Sequence, residues 1–128
     1  MDWSVYPNFS KKEFDCKHSG KNRMRPEFMQ KLQEIRDIYN RVMIINSGYR
    51  DKTHPIEAAK KTPGEHYYGA AADVKASGVD AMELIVIAFT AGIRRIGVRQ
   101  HGGIFFIHLG LGDQLANFPQ SIWTYSDK

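Results

Sequence analysis

Cysteine is nearly absent. The lone Cys16 among 128 residues cannot close an internal disulfide, so the fold must stand on packing, with a metal as the remaining staple. There is no internal repeat, no low-complexity tract and no Pro/Gly/Ser-rich linker, and a chain of this length supports one core rather than two; a single domain over residues 1–128 is expected, with 1–25 as an irregular N-terminal segment. Long apolar runs are missing as well. The most apolar stretch, residues 84–89, follows Glu83 and soon meets Gly92, Arg94 and Arg95, well short of the ~20 residues a membrane span needs. A soluble protein with no membrane partner is the expectation. The opening MDWSVYPNF has no basic segment ahead of an apolar run, so no secretory signal is expected there.

Charge of one sign is only mildly in excess, with 18 Lys+Arg against 14 Asp+Glu for a net charge of +4. That balance suits an anionic partner such as nucleic acid, phospholipid or cell-wall polymer without choosing among them. The basic residues form no continuous run, which argues against nucleic acid. With 42% hydrophobic and 25% charged residues, a disordered tail or a fibrous repeat is excluded.

What is present reads as alternating elements. Trp3, Tyr6, Phe9 and Phe14 are expected to anchor the N-terminal segment. From Pro26 the apolar residues Phe28, Leu32, Ile35, Ile38 and Tyr39 recur at helical spacing, predicting a helix over 26–41. VMIIN at 42–46 is β-branched and reads as a buried strand. A polar loop with Pro55, Pro63 and Gly64 follows, with room for a helical turn over 56–61. A short strand is expected around Asp73. A second helix is expected over 80–92, with Asp80 as N-cap and Gly92 as stop. RIGVRQ and IFFIHLG make a strand pair turned at Gly102-Gly103, and the tail carrying Trp123 and Tyr125 reads as irregular. Helices with mainly antiparallel strands in this order predict an α+β fold, a small sheet packed with two main helices.

The chemistry-bearing residues are His66 and Asp73, seven apart in GEHYYGAAADV, and His108 in FFIHLG. Two imidazoles and a carboxylate are suitable zinc ligands, and three protein ligands on a four-coordinate ion leave one vertex for water. Small residues at 69–72 would let the backbone turn tightly and pack closely beneath such a site. On spacing alone, a chance His/Asp pair and a satisfied core His108 flanked by apolar residues remain the alternative.

GEHYYGAAADV resembles the SxHxxGxAxD motif of the zinc D-Ala-D-Ala carboxypeptidases and L-alanyl-D-glutamate endopeptidases, peptidoglycan peptidases that share a fold with the Hedgehog signalling domain. INSGYR before it and IGV, FFIHLG and WTY after it are similar to that family's flanking signatures in the same order, and FSKKEFDCKHSG and LQEIRD resemble the start of phage-encoded members. The likeness covers about residues 8–125. It implies that His66, Asp73 and His108 hold zinc, and that Arg50 pairs with an acidic group of a peptidoglycan peptide, a pairing a guanidinium forks to make. Two departures stand out. Gly64 replaces the motif's serine, and Gly110 stands where the family carries an acid two residues after the last histidine. Glu65 and Asp113 are the candidates for the missing catalytic acid. Were the backbone at Glu65 extended, its side chain would point away from its ligand neighbour; Asp113 lies beyond two glycines.

The resemblance therefore implies a zinc peptidase of peptidoglycan stem peptides, a phage endolysin or virion-associated lysin. It would be made in the host cytoplasm without a signal and act on the cell wall, with other virion proteins as further partners. The alternative is a catalytically weakened zinc-binding structural or cell-wall-binding module of a phage tail. His18 and Cys16 are two ligands and not a site, His54 and His101 read as exposed loop residues, and Tyr67, Tyr68, Trp123 and Tyr125 are candidates to line a groove or to fill a core.

Overall fold

A computed structural model describes residues 1–126. The N-terminal segment carries a short 3-10 turn at Trp3–Val5 and helix α1 at Lys11–Phe14, the latter fastened where the Ser10 N–H donates to the Glu13 carboxylate at 2.8 Å. Tyr6, Phe9 and Phe14 are buried, so the segment is anchored by its aromatics as their distribution predicts. Cys16 is buried too, its sulfur accepting the Asp51 N–H at 3.4 Å.

Helix α2, Pro26–Tyr39, begins on a proline and ends where Asn40 turns left-handed at φ 51. It buries Phe28, Met29, Leu32, Ile35 and Tyr39. After the short α3, Pro55–Ala58, comes α4 at Gly78–Thr90, which buries Ala81, Leu84 and Ala88. α4 starts earlier than its predicted cap. Asp80 lies inside the first turn and pairs with Arg41 at 3.0 Å instead of capping. A one-turn helix α5, Gly112–Leu115, follows the sheet's central hairpin.

The sheet has the order β1-β2-β4-β3-β5, from strands Ile45–Ser47, Ala71–Lys75, Arg95–His101, Ile104–Gly110 and Ser121–Thr124. All neighbours are antiparallel except β3 and β5. The β3–β4 hairpin turns at Gly102 and Gly103, both at positive φ, the conformation two-residue hairpins select glycine for. The α+β expectation holds.

Two strand expectations are corrected. The run at 42–46 is not a strand buried on both faces: β1 begins at Ile45 on the sheet edge, with Val42 and Ile44 exposed while Met43 and Ile45 are buried. Only one face of the chain there is packed on the core, so alternate residues are sheltered and those between them meet solvent. The tail is not irregular, because Ser121–Thr124 pairs in parallel with β3 and sets Trp123 opposite Gly97, an interaction invisible to local pattern.

Alternation divides the sheet's faces. Ala72, Val74, Ile107, Leu109 and Ile96 join Phe28, Leu32, Ile35, Leu84 and Ala88 in the core, each larger side chain contributing about 1.5–3 kcal/mol on burial. The opposite face carries Ser47, Asp73, His108, Gly97 and Trp123, which lie in one row through the strand registers. Slipping any strand by one residue would send its site residue into the core. The apolar face thus holds the polar row in place.

Candidate metal centre

His66, Asp73 and His108 come together as expected, each 4% exposed, with one ligand atom from each lying within 4.8 Å of the others. Asp73 and His108 are direct cross-strand partners on β2 and β4. His66 arrives from the turn before β2. That turn is closed by Tyr67 N–H to Gly64 O and Tyr68 N–H to Glu65 O, both 3.1 Å, and by Gly69 at φ +67. A side chain is strained at that φ, and a Cβ on Gly69 would stand 2.0 Å from the Arg23 carbonyl oxygen. Ala70, Ala71 and Ala72 are fully buried beneath it, so the small residues at 69–72 do serve a tight turn and close packing.

Asp73 Oδ1 lies 3.3 Å from His66 Nε2 and 2.9 Å from His108 Nδ1. Donors held 2.0–2.2 Å from a tetrahedral zinc stand ~3.3 Å apart, so two nitrogens and one carboxylate oxygen at these separations fit that ion. The remaining ring nitrogens are spoken for. His66 Nδ1 donates to Gly48 O at 2.8 Å, which leaves Nε2 as the lone-pair side facing Asp73. His108 Nε2 meets Glu65 Oε1 at 2.5 Å.

The charges are strongly coupled. Burial holds the His66 imidazole below its usual pKa despite Asp73, so it sits neutral and ready to ligate. Burial also opposes charge on His108, but its bonds to Asp73 and Glu65 prevail and raise it to about 9. Burial works to raise Asp73, yet His66 and His108 hold its carboxyl well below the carboxylate range. Arg50 adds to this order. Its guanidinium lies 3.3 Å from Asp73 Oδ2 and 3.5 Å from Glu57 Oε2, while its Nε donates to Ser47 Oγ at 3.1 Å.

Of the two candidates for the missing acid, Glu65 is brought to the cluster. Residue 65 lies in the turn rather than in a strand, so its carboxylate points toward the cluster, meeting His108, Arg95 Nε at 3.0 Å and the Gly112 N–H at 2.9 Å. Asp113 is not brought to the cluster. It sits on α5, where its Oδ2 accepts from Gln120 at 3.4 Å, and it does not line the groove. The side-chain space at Gly110 is occupied, since a Cβ there would lie 2.2 Å from Glu65 Oε2.

The cluster opens into a groove of about 730 Å³ that includes Arg50, Lys60, Arg99, Phe106, Phe118, Trp123 and Tyr125. Trp123 lies 5.0 Å from the His108 ring, over the space Gly97 leaves free. Of the four aromatics proposed as wall, Trp123 and Tyr125 line the groove and Tyr67 and Tyr68 do not. Burial, then the charge of Asp73, pushes the Tyr125 phenol up to about 12, so it stays neutral. His54 is half-buried, not exposed, and its Nδ1 accepts the Ile56 N–H at the start of α3. Arg95 and Arg99 were not singled out by sequence reasoning. Counting outward from the Gly102-Gly103 turn would have found Arg95, which pairs with Gly110.

No helix among the described residues is long and apolar enough to cross a membrane. None of the curated proteins matches the chain. A family profile described as Peptidase M15 matches residues 7–110, a span that includes all three clustered residues, so the chain belongs to the peptidase M15 family of zinc metallopeptidases.

Proposed function

We propose that the protein is a zinc-dependent peptidase that hydrolyses peptidoglycan stem peptides, with His66, Asp73 and His108 as the metal's ligands. The observation that carries this reading is the convergence of those three side chains at the floor of an open groove. Zinc held there supplies a Lewis acid that lowers the pKa of water to about 7 and polarises a carbonyl. The chain's own residues do the rest. Arg50, 15% exposed at its side chain, presents its guanidinium to a substrate carboxylate, while Glu57, itself held by Lys60 at 3.0 Å and by the Gly64 N–H at 2.7 Å, keeps Arg50 in place. Trp123, Phe106 and Tyr125 give an extended peptide an apolar wall. Hydrolysis adds one water across one amide, leaving a carboxylate and an amine.

The setting we assign is a phage lysin, either an endolysin or a virion-borne enzyme, made in the host cytoplasm and acting on the cell wall. It is supported by the likeness of FSKKEFDCKHSG and LQEIRD to phage-encoded members. The test is to incubate the zinc-loaded protein with purified peptidoglycan and search for new stem-peptide termini by mass spectrometry. Release is expected from the wild type and not from His66→Ala. A zinc-bound wild type that releases nothing would instead support the binding-module alternative.

A further inference from the structure

We infer that Glu65 is the positioning residue of this centre, its carboxylate occupying the side-chain space of Gly110 and Gly112 and gripping His108 by Nε2 so that Nδ1 faces Asp73. The inference rests on the metal-site reading above and names a group that acts through a ligand rather than on substrate.

Glu65 is 3% exposed, a depth at which an unpaired carboxylate is strongly destabilising. It is paired at both oxygens. Oε1 lies between His108 Nε2 at 2.5 Å and Arg95 Nε at 3.0 Å, and Oε2 accepts the Gly112 N–H at 2.9 Å. Arg95 is itself braced, its guanidinium carbon 4.8 Å from the Trp123 ring centre and 5.0 Å from that of Phe118. An imidazole has two nitrogens and can present either to a metal; the hydrogen bond made by one decides which is left for the ion. The grip on Nε2 leaves Nδ1 toward Asp73.

The two glycines make this arrangement possible. A Cβ at 110 would stand 2.2 Å from Glu65 Oε2, and one at 112 would stand 2.4 Å from it. Residues 108 and 110 share a face of β4, so a side chain at 110 would grow into the volume the Glu65 carboxylate now fills. An acid at 65 and a side chain at 110 are therefore mutually exclusive occupants of one space beside His108. A carboxylate delivered from either position would meet the same partners, His108 and Arg95.

The test compares wild type, E65Q, E65A, G110D and the double variant E65A/G110D. The readouts are zinc affinity by competition with a chromophoric chelator, the visible spectrum of the cobalt(II)-substituted protein, and the unfolding midpoint. Loss of a group that orients a ligand costs about 10–100-fold in metal affinity. That loss, with altered cobalt bands, is expected for E65Q, E65A and G110D, with the double variant binding zinc more tightly than either of its parents. Wild-type zinc affinity and cobalt bands in E65Q would overturn the inference, as would a double variant that binds zinc no more tightly than its tighter-binding parent. If G110D fails to fold, E65Q and E65D, which add no atom at 110, decide the matter by the same readouts. Peptide release is scored separately. A wild type that binds zinc without cleaving peptide refutes the peptidase reading while the affinities still judge Glu65, and one that binds no zinc refutes both.

Discussion

Raising the pH from 6.5 toward 9 is expected to strengthen zinc binding by about tenfold per pH unit. In the metal-free protein His108 donates toward Asp73 and Glu65 at once, and although burial opposes its charge, these two partners raise it to about 9. A metal needs the lone pair on Nδ1, so that proton must leave. Asp73 is already ionised throughout this range, and His66, depressed by burial, is already neutral. One proton per zinc is the result. At pH 7, about two units below the His108 value, affinity should be roughly 100-fold weaker than above pH 9, or about 2.7 kcal/mol. Calorimetry in buffers of different ionisation enthalpy counts the protons, and chelator competition across the same range gives the slope. No proton release together with flat affinity would refute the doubly bonded, cationic His108. The metal-free fold should answer in the opposite sense. The His108 contribution to stability is fully present below its unfolded pKa of 6.5 and is lost as pH rises through about 9. The contributions of Asp73 and Glu65, whose carboxyls are depressed from 3.8 and 4.5, are lost on acidification.

Two substitutions probe the groove. Arg50→Gln removes the cation facing the substrate, and since a hydrogen bond to a charged group contributes about 1.5–3 kcal/mol, kcat/KM for stem peptides should fall roughly 10–100-fold, mainly through KM; unchanged kinetics would remove Arg50 from substrate binding. Gly97→Ala would place a Cβ 2.6 Å from Trp123 Nε1 and 2.7 Å from the Tyr125 hydroxyl. Overpacking of this kind costs about 1–3 kcal/mol, so a lower unfolding midpoint with altered indole emission is expected, and a wild-type midpoint and emission spectrum would show that the aromatic wall is not seated on Gly97.

Much of the site was legible because its parts are local. The GEHYYGAAADV segment carries a ligand, a tight turn and a second ligand within one stretch, and IFFIHLG announces a strand by its aromatic and β-branched run directly after the Gly102-Gly103 turn. Arg95 was legible in principle, because a two-residue turn at Gly102-Gly103 sets the hairpin register by counting alone. The strand at Ser121–Thr124 was not, because it pairs with β3, whose partner residues lie 26 positions earlier in the chain, and its own residues carry no strong alternation. The direction of the Glu65 side chain is open in the sequence for a related reason. Its direction depends on whether the backbone there is extended or turned, and the turn is closed partly from outside, where Gly69 packs against the Arg23 carbonyl.

The linear sequence by itself determined the ligand types, their order, the two main helices and the antiparallel hairpin, because those follow from side-chain chemistry and short-range periodicity. Only the tertiary structure decided that Glu65 occupies the space over Gly110. That space is bounded by His108, Arg95 and Gly112, residues far from 65 along the chain, and no local propensity records which distant backbone will leave a void for a carboxylate to fill.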